Sequence, residues 1–235
     1  MVFRLFDFSE EKNFFNIITK GAVGDRGIRA LLDNETILRN QIRALILSGQ
    51  YGDVTILIPF VTMPDEVIKV RNIVKEEYFK IKEQNPDFNL KIKVGSMIET
   101  PAAVIWADEI AKHSDILSLG TNDLMQYTLG ADRNSSGNMI SFKAYNPSVL
   151  KFIGLTAQAA KNNDIPACVC GESASDKKLT DILVGLGITK LSITPSKTKL
   201  IKSELEKYTF KECKKIADNI VNSSTFEEAE AILNH

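Results

Sequence analysis

The chain has 235 residues, 44% hydrophobic and 25% charged, with 29 lysines and arginines against 30 aspartates and glutamates. A net charge of -1 excludes a bulk electrostatic pull toward nucleic acid or an anionic membrane and leaves only local pockets of charge. No run approaches the roughly 18 apolar residues of a membrane span, and charges break the opening MVFRLFDFSEEKNFF too early for a secretory signal, so a cytoplasmic location is expected.

In chain order, short apolar and β-branched runs fall at 2–6, 54–60, 90–99, 115–120, 166–171 and 190–195. Between them lie segments of helical period at 35–47, 64–84, 101–113, 147–163 and 176–187, with Pro64, Pro101 and Pro147 marking starts and Gly187 a stop. This alternation predicts a parallel sheet wrapped by helices. Polar residues gather at the C-terminal ends of several strands, which favours a TIM-like (β/α)8 barrel, where all those ends meet at one mouth, over an open doubly wound sheet. A further strand is read around Ala22–Arg29 on a weaker pattern; with it the sequence shows seven units, and the first strand of an eight-stranded barrel is not found. The tail from Tyr208 predicts two C-terminal helices joined at Asn222–Ser224, with Thr225 as N-cap and Glu228 as its capping-box partner. Without a linker, repeat or low-complexity tract, residues 1–235 read as one domain.

Glu99 and Asp123 end successive strands, so neighbouring strands would bring their carboxylates together at the mouth, about 5 Å apart. Two such carboxylates repel unless a cation sits between them, and oxygen ligands suit Mg²⁺ or Mn²⁺. Helix capping by each carboxylate is the alternative. Arg4, Arg26 and Arg133 line the same mouth in this reading, and guanidinium forks match phosphate and carboxylate oxygens. Cys170 ends its strand as a mouth-facing thiol able to give a proton, while Cys168 and Cys213 read as small buried hydrophobes. Trp106 and the apolar face of helix 101–113 read as core. With only His113 and His235, a histidine-rich metal site or Ser-His-Asp triad is not expected.

GSMIETPAA (95–103), SLGTNDLMQYTLGADR (118–133), YNPSVL (145–150) and VCGESASD (169–176) resemble, in order and spacing, the signatures of the phosphoenolpyruvate-binding barrel of phosphoenolpyruvate-protein phosphotransferase, enzyme I of the sugar phosphotransferase system. The resemblance runs from Arg4 to about Pro195. It implies Glu99 and Asp123 as Mg²⁺ ligands, Asn122 on the substrate phosphate, and Arg4, Arg26 and Arg133 clamping phosphoenolpyruvate. Cys170 is implied as the acid that protonates C3 when pyruvate forms. It also implies, outside residues 1–235, an amino-terminal domain whose histidine takes the phosphate and a domain that docks the carrier protein HPr, and it implies a homodimer. Asp7-Phe8-Ser9-Glu10-Glu11-Lys12 departs from the family's Asp-Ile-Gly-Gly-Asp-Lys, which leaves that loop's contribution open. A non-catalytic binding or dimerisation module, a lyase or aldolase on a related barrel, and a pyruvate phosphate dikinase or phosphoenolpyruvate synthase-type domain stand as alternatives.

Overall fold

The computed structural model describes residues 1–8, 26–131 and 143–233. Six strands lie parallel in chain order: β1 (Val2–Arg4), β2 (Val54–Ile58), β3 (Ile92–Ile98), β4 (Leu117–Gly120), β5 (Ala167–Cys170) and β6 (Lys190–Leu191). Each pairs with its sequence neighbour, with Arg4 opposite Leu57, Ile98 opposite Leu119 and Gly120 opposite Cys170. Parallel pairing requires a crossover between strands, and helices supply it. β1 is followed by α1 (Gly27–Asp33) and α2 (Glu35–Ser48), β2 by α3 (Pro64–Gln84), and β3 by α4 (Pro101–Ile105) and α5 (Ala107–Lys112). β4 leads to α6 (Thr121–Leu129) and α7 (Pro147–Asn162), β5 to α8 (Thr180–Gly185), and β6 to α9 (Thr198–Leu205), α10 (Phe210–Val221) and α11 (Phe226–Leu233).

The result is a TIM-like half-barrel. Within the described residues the sheet is open, with six strands rather than the eight of a closed barrel. Where a weak strand was expected around Ala22–Arg29, Gly27 onward is the helix α1, and residues 22–25 lie outside the described residues.

Local signals explain most helix ends. Proline occupies the first turn of α3, α4 and α7, where its missing N–H costs nothing. Thr100 Oγ1 accepts the Ala103 N–H at 3.2 Å to cap α4, and Asn146 Oδ1 accepts the Ser148 N–H at 3.0 Å to cap α7. The expected tail helices form, with the Glu228 N–H on Thr225 Oγ1 at 3.1 Å and the Ser224 N–H on Glu228 Oε2 at 2.7 Å. Tyr145 stacks on Phe226 at 5.6 Å and donates to Glu230 at 2.8 Å, which seats α11 beside the start of α7.

The core lies between the sheet and its helices. Ile56, Ile58, Val94, Ile98, Leu117, Leu119 and Val169 of the strands join Leu38, Ile42, Val67, Val70, Ile110 and Ile153 of the helices. β5 shows the alternation plainly: Ala167 and Val169 are buried in this cluster, while Cys168 and Cys170 on the other face are half-buried. Trp106 is not core, contrary to expectation, and is 49% exposed. The buried stripe of that helical run is Ala103, Val104, Ala107, Ile110 and Ala111, and Trp106 falls off it. The run divides there, although the Trp106 N–H still reaches the Ala102 carbonyl at 3.1 Å.

Candidate functional site

Glu99 follows the last residue of β3 and is buried, 1% exposed. The β3–β4 register places it beside Gly120, where a Cβ would lie 2.4 Å from Glu99 Oε2. Glycine at 120 therefore lets the carboxylate lie across the end of β4. Burial raises the Glu99 carboxyl well above the usual range, the charges of Asp123 and Asp7 add to the rise, and the Phe60 N–H and Arg26 oppose it. The Phe60 N–H donates to Glu99 Oε1 at 2.7 Å. Phe60 does this from φ 56°, a left-handed conformation that costs a residue with a Cβ about 1–2 kcal/mol.

Asp123 stands in the first turn of α6, three residues past β4 rather than at its end. Arg26, immediately before α1, reaches it: Nη1 donates to Asp123 Oδ1 at 3.0 Å and to Tyr127 Oη at 3.3 Å. The other side of the same guanidinium forks onto Asp7, with Nε to Oδ1 at 3.2 Å and Nη2 to Oδ2 at 2.6 Å. Burial works against the Arg26 charge, but the bonds and charges of Asp7 and Asp123 outweigh it and raise its pKa. Arg4, at the end of β1 and half-exposed, lies 3.6 Å from Asp7.

Cys170 ends β5, with its thiol on the Leu119 carbonyl at 3.1 Å and the Ser118 hydroxyl 3.7 Å away. Burial pushes the thiol pKa up; the Ser118 bond opposes this and the nearby Glu99 charge adds to it, so the group stays protonated at neutral pH. Asn122 precedes Asp123, and its side chain approaches Gly171 just beyond Cys170, 3.7 Å from where a Cβ would stand. Cys213 is buried as expected, whereas Cys168 is half-buried, on the face of β5 opposite Ala167 and Val169. Arg133 lies outside the described residues.

Glu99, Asp123, Arg26, Arg4, Asn122 and Cys170 thus come together at the C-terminal ends of β1 and β3–β5. Sequence reasoning missed Asp7, Phe60 and Tyr127 as partners. For Asp7 a signal existed, an acidic residue three positions after a strand arginine. Among the described residues, no group of three or more His, Cys, Asp and Glu side chains is arranged around a metal position. Glu99 and Asp123 do form a pair of oxygen donors whose charges act on each other, a donor set that fits a hard divalent cation completed by water and ligand oxygens. Capping by Glu99 is not seen, since Thr100 caps α4. For Asp123, in a first turn, the dipole contribution stands beside its place in the mouth.

These residues define an α/β half-barrel that gathers carboxylates, guanidinium groups and a protonated thiol at its strand ends. Residues 1–210 match the family described as PEP-utilising enzyme, PEP-binding domain, and the chain belongs to that family. It is 36% identical over 233 residues to a phosphoenolpyruvate-protein phosphotransferase of Chlamydia pneumoniae, covering 99% of this chain and 39% of that protein. Proteins of the same name from Listeria monocytogenes and Bacillus subtilis are 35% and 33% identical over 88% and 90% of this chain, and 36% and 37% of their own lengths. The chain therefore spans less than two fifths of each of these relatives. Among solved structures, a citrate lyase of Burkholderia xenovorans superposes with a TM-score of 0.54 at 13% identity, covering 83% of this chain and 67% of that one. A pyruvate kinase of Cryptosporidium parvum gives 0.54 at 14% identity, covering 83% and 38%. These two likenesses show the fold.

Proposed function

We propose that this chain is the phosphoenolpyruvate-binding, Mg²⁺-dependent part of a phosphoenolpyruvate-protein phosphotransferase, acting as one cytoplasmic, homodimeric domain with a histidine-bearing domain and HPr as partners. Among the described residues no helix is long and apolar enough to cross a membrane. The observation that carries the reading is the convergence of Glu99, Asp123 and Arg26 at the mouth, with the protonated Cys170 thiol on the adjoining strand.

In this reading Glu99 and Asp123 hold the cation, Mg²⁺ or Mn²⁺. A cation held there would supply Lewis-acid stabilisation of phosphoryl charge. Arg4, Arg26 and Arg133 clamp phosphate and carboxylate, and Asn122 donates to the phosphate. The bond from phosphorus to the enolate oxygen breaks as one to a histidine nitrogen forms, with the arginines stabilising charge on the moving group. Cys170 gives its proton to C3 of the enolate, which leaves as pyruvate.

Calorimetry on the purified chain tests the binding half of the reading. Phosphoenolpyruvate binding should require Mg²⁺ or Mn²⁺ and vanish in Asp123→Ala, whereas equal affinity in the presence of a chelator would remove the shared cation from the account. Binding without turnover, once the amino-terminal domains of a relative are supplied, would favour the non-catalytic module instead.

A further inference from the structure

We propose that Phe60 is a positioning residue that fixes both the Glu99 carboxylate and the Arg26 guanidinium; this deepens the proposed function and rests on its assignment of those two groups to cation and phosphate. A buried phenylalanine needs no unusual backbone to fill a core. Phe60 nevertheless sits at φ 56°, immediately after Pro59 at the end of β2, where a left-handed residue is usually glycine. Such strain persists only when the surroundings over-determine it, and it concentrates where a site must be held in one geometry.

Three contacts do the over-determining. The backbone turn aims the Phe60 N–H at Glu99 Oε1, 2.7 Å away. The ring presents its face to Arg26, whose Cζ lies 4.6 Å from the centroid, and makes a T-shaped contact with the Tyr127 ring at 5.5 Å and 70°. A guanidinium over an aromatic face is attracted by the ring quadrupole, more strongly where water is excluded, and Phe60 is 2% exposed. The third contact ties the turn to the root of Arg26: the Ile28 N–H donates to the Pro59 carbonyl at 3.2 Å. At Gly27, a Cβ would stand 2.4 Å from the Phe60 Cβ, so glycine is what permits this approach. Residues 59–60 and 26–28 are therefore packed directly against each other. Asp7 holds the far side of the guanidinium by its fork, leaving Arg26 fixed between a carboxylate and a ring. Phe60 acts through its contacts with Glu99 and Arg26.

The test reads Arg26 directly. In the ¹H–¹⁵N spectrum of the ligand-free chain, the Arg26 Nε–H signal should be slowly exchanging and shifted upfield by the ring. In Phe60→Leu it should move downfield and exchange faster. Phosphoenolpyruvate affinity with Mg²⁺ should fall about ten-fold, the order expected for a desolvated contact of this kind. Pentafluorophenylalanine at position 60 keeps the shape and reverses the charge of the ring face; it should lower the affinity similarly, and it decides the matter if Phe60→Leu does not fold. An unmoved Arg26 signal with affinity within two-fold of wild type, in either folded variant, would overturn the proposal, as would a loss of melting temperature alone. If the wild-type chain binds no phosphoenolpyruvate, the functional reading fails, and the Arg26 signal still decides whether Phe60 positions it.

Discussion

Arg26 Nη1 bonds Asp123 Oδ1 at 3.0 Å, so a carboxylate proposed to hold a metal already holds a cation of the protein itself. Any divalent ion arriving without an anion must compete with that guanidinium. A charge-assisted bond of this kind contributes about 1.5–3 kcal/mol. Mg²⁺ alone should therefore bind weakly, and Arg26→Gln should bind Mg²⁺ alone about ten-fold more tightly, while losing affinity for phosphoenolpyruvate because the clamp is gone. Titration of both ligands into both proteins measures this. A variant that loses affinity for both would mean that Arg26 supports Asp123 rather than competing for it.

The second expectation concerns stability. Glu77 on α3 is fully buried and accepts from Arg39 at 3.0 Å, Arg43 at 2.6 Å and Lys80 at 2.9 Å, which ties α3 to α2. Burial pushes its carboxyl up, but the bonds from Lys80, Arg43 and Arg39 together outweigh it and hold the pKa at about 2. A folded pKa below the unfolded one gives stability that is present above about pH 4.3 and is lost as pH falls toward 2. Glu77→Gln should cost about 2 kcal/mol at pH 7, and the gap to wild type should narrow by roughly 1 kcal/mol by pH 3.5. Urea melts at the two pH values provide the comparison, and a pH-independent gap would assign the effect to packing.

The third concerns Cys170. Its thiol is held protonated at the end of β5, within reach of the Glu99 field, while Cys168 lies two residues earlier with its pKa pushed by burial to about 11. Supplied with the amino-terminal domains of a relative, Cys170→Ala should keep phosphoenolpyruvate affinity within about three-fold and lose at least about 100-fold in pyruvate formation, the usual weight of a general acid. Cys168→Ala should change neither by more than about two-fold, given that it lacks the end position. Equal turnover in Cys170→Ala and wild type would return the thiol to a packing role.

Much of this was legible because the signals are local. Proline and threonine at residues 100–101 mark the start of α4, and β-branched runs mark the strands. Glu99 and Asp123 stood out as carboxylates where apolar strands stop. What escaped depends on partners far along the chain. Asp7 meets Arg26 across 19 residues and Asp123 meets it across 97, distances at which no periodicity reports a contact. Phe60 was hidden for the opposite reason: it closes the apolar run 54–60, and nothing in that run reports its φ of 56° or the closeness of Gly27 and the Glu99 carboxylate. Glu77 lies in a stretch rich in lysine and glutamate, and its contacts with Arg39 and Arg43 depend on how α2 packs on α3. Trp106 shows a stripe that local reading could have resolved, since the buried positions skip it.

The last expectation is that this chain with Mg²⁺ and phosphoenolpyruvate does not become stably phosphorylated. Phosphotransfer of the proposed kind needs a histidine nitrogen in line with the phosphorus, with reacting atoms about 3–3.5 Å apart. His113 follows α5, and its carbonyl is fixed by Arg71 Nη1 at 3.0 Å. α4 and α5 lead from Glu99 at the mouth back to the N-terminal side of the sheet, where Arg71 bonds both the His113 carbonyl and Asp115 and the Val94 N–H near the start of β3 bonds Asp115, so His113 lies at the opposite end of the strands from the mouth. Distance, rather than chemistry, removes it as an acceptor. His235 is the other histidine of the sequence and lies outside the described residues, so His235→Ala accompanies the experiment as its control. Incubation with ³²P-labelled phosphoenolpyruvate should leave the chain unlabelled, and adding the amino-terminal domains of a relative should place label on their histidine. Stoichiometric label on this chain alone would contradict the division of labour proposed for it; loss of that label in His235→Ala would then identify the acceptor.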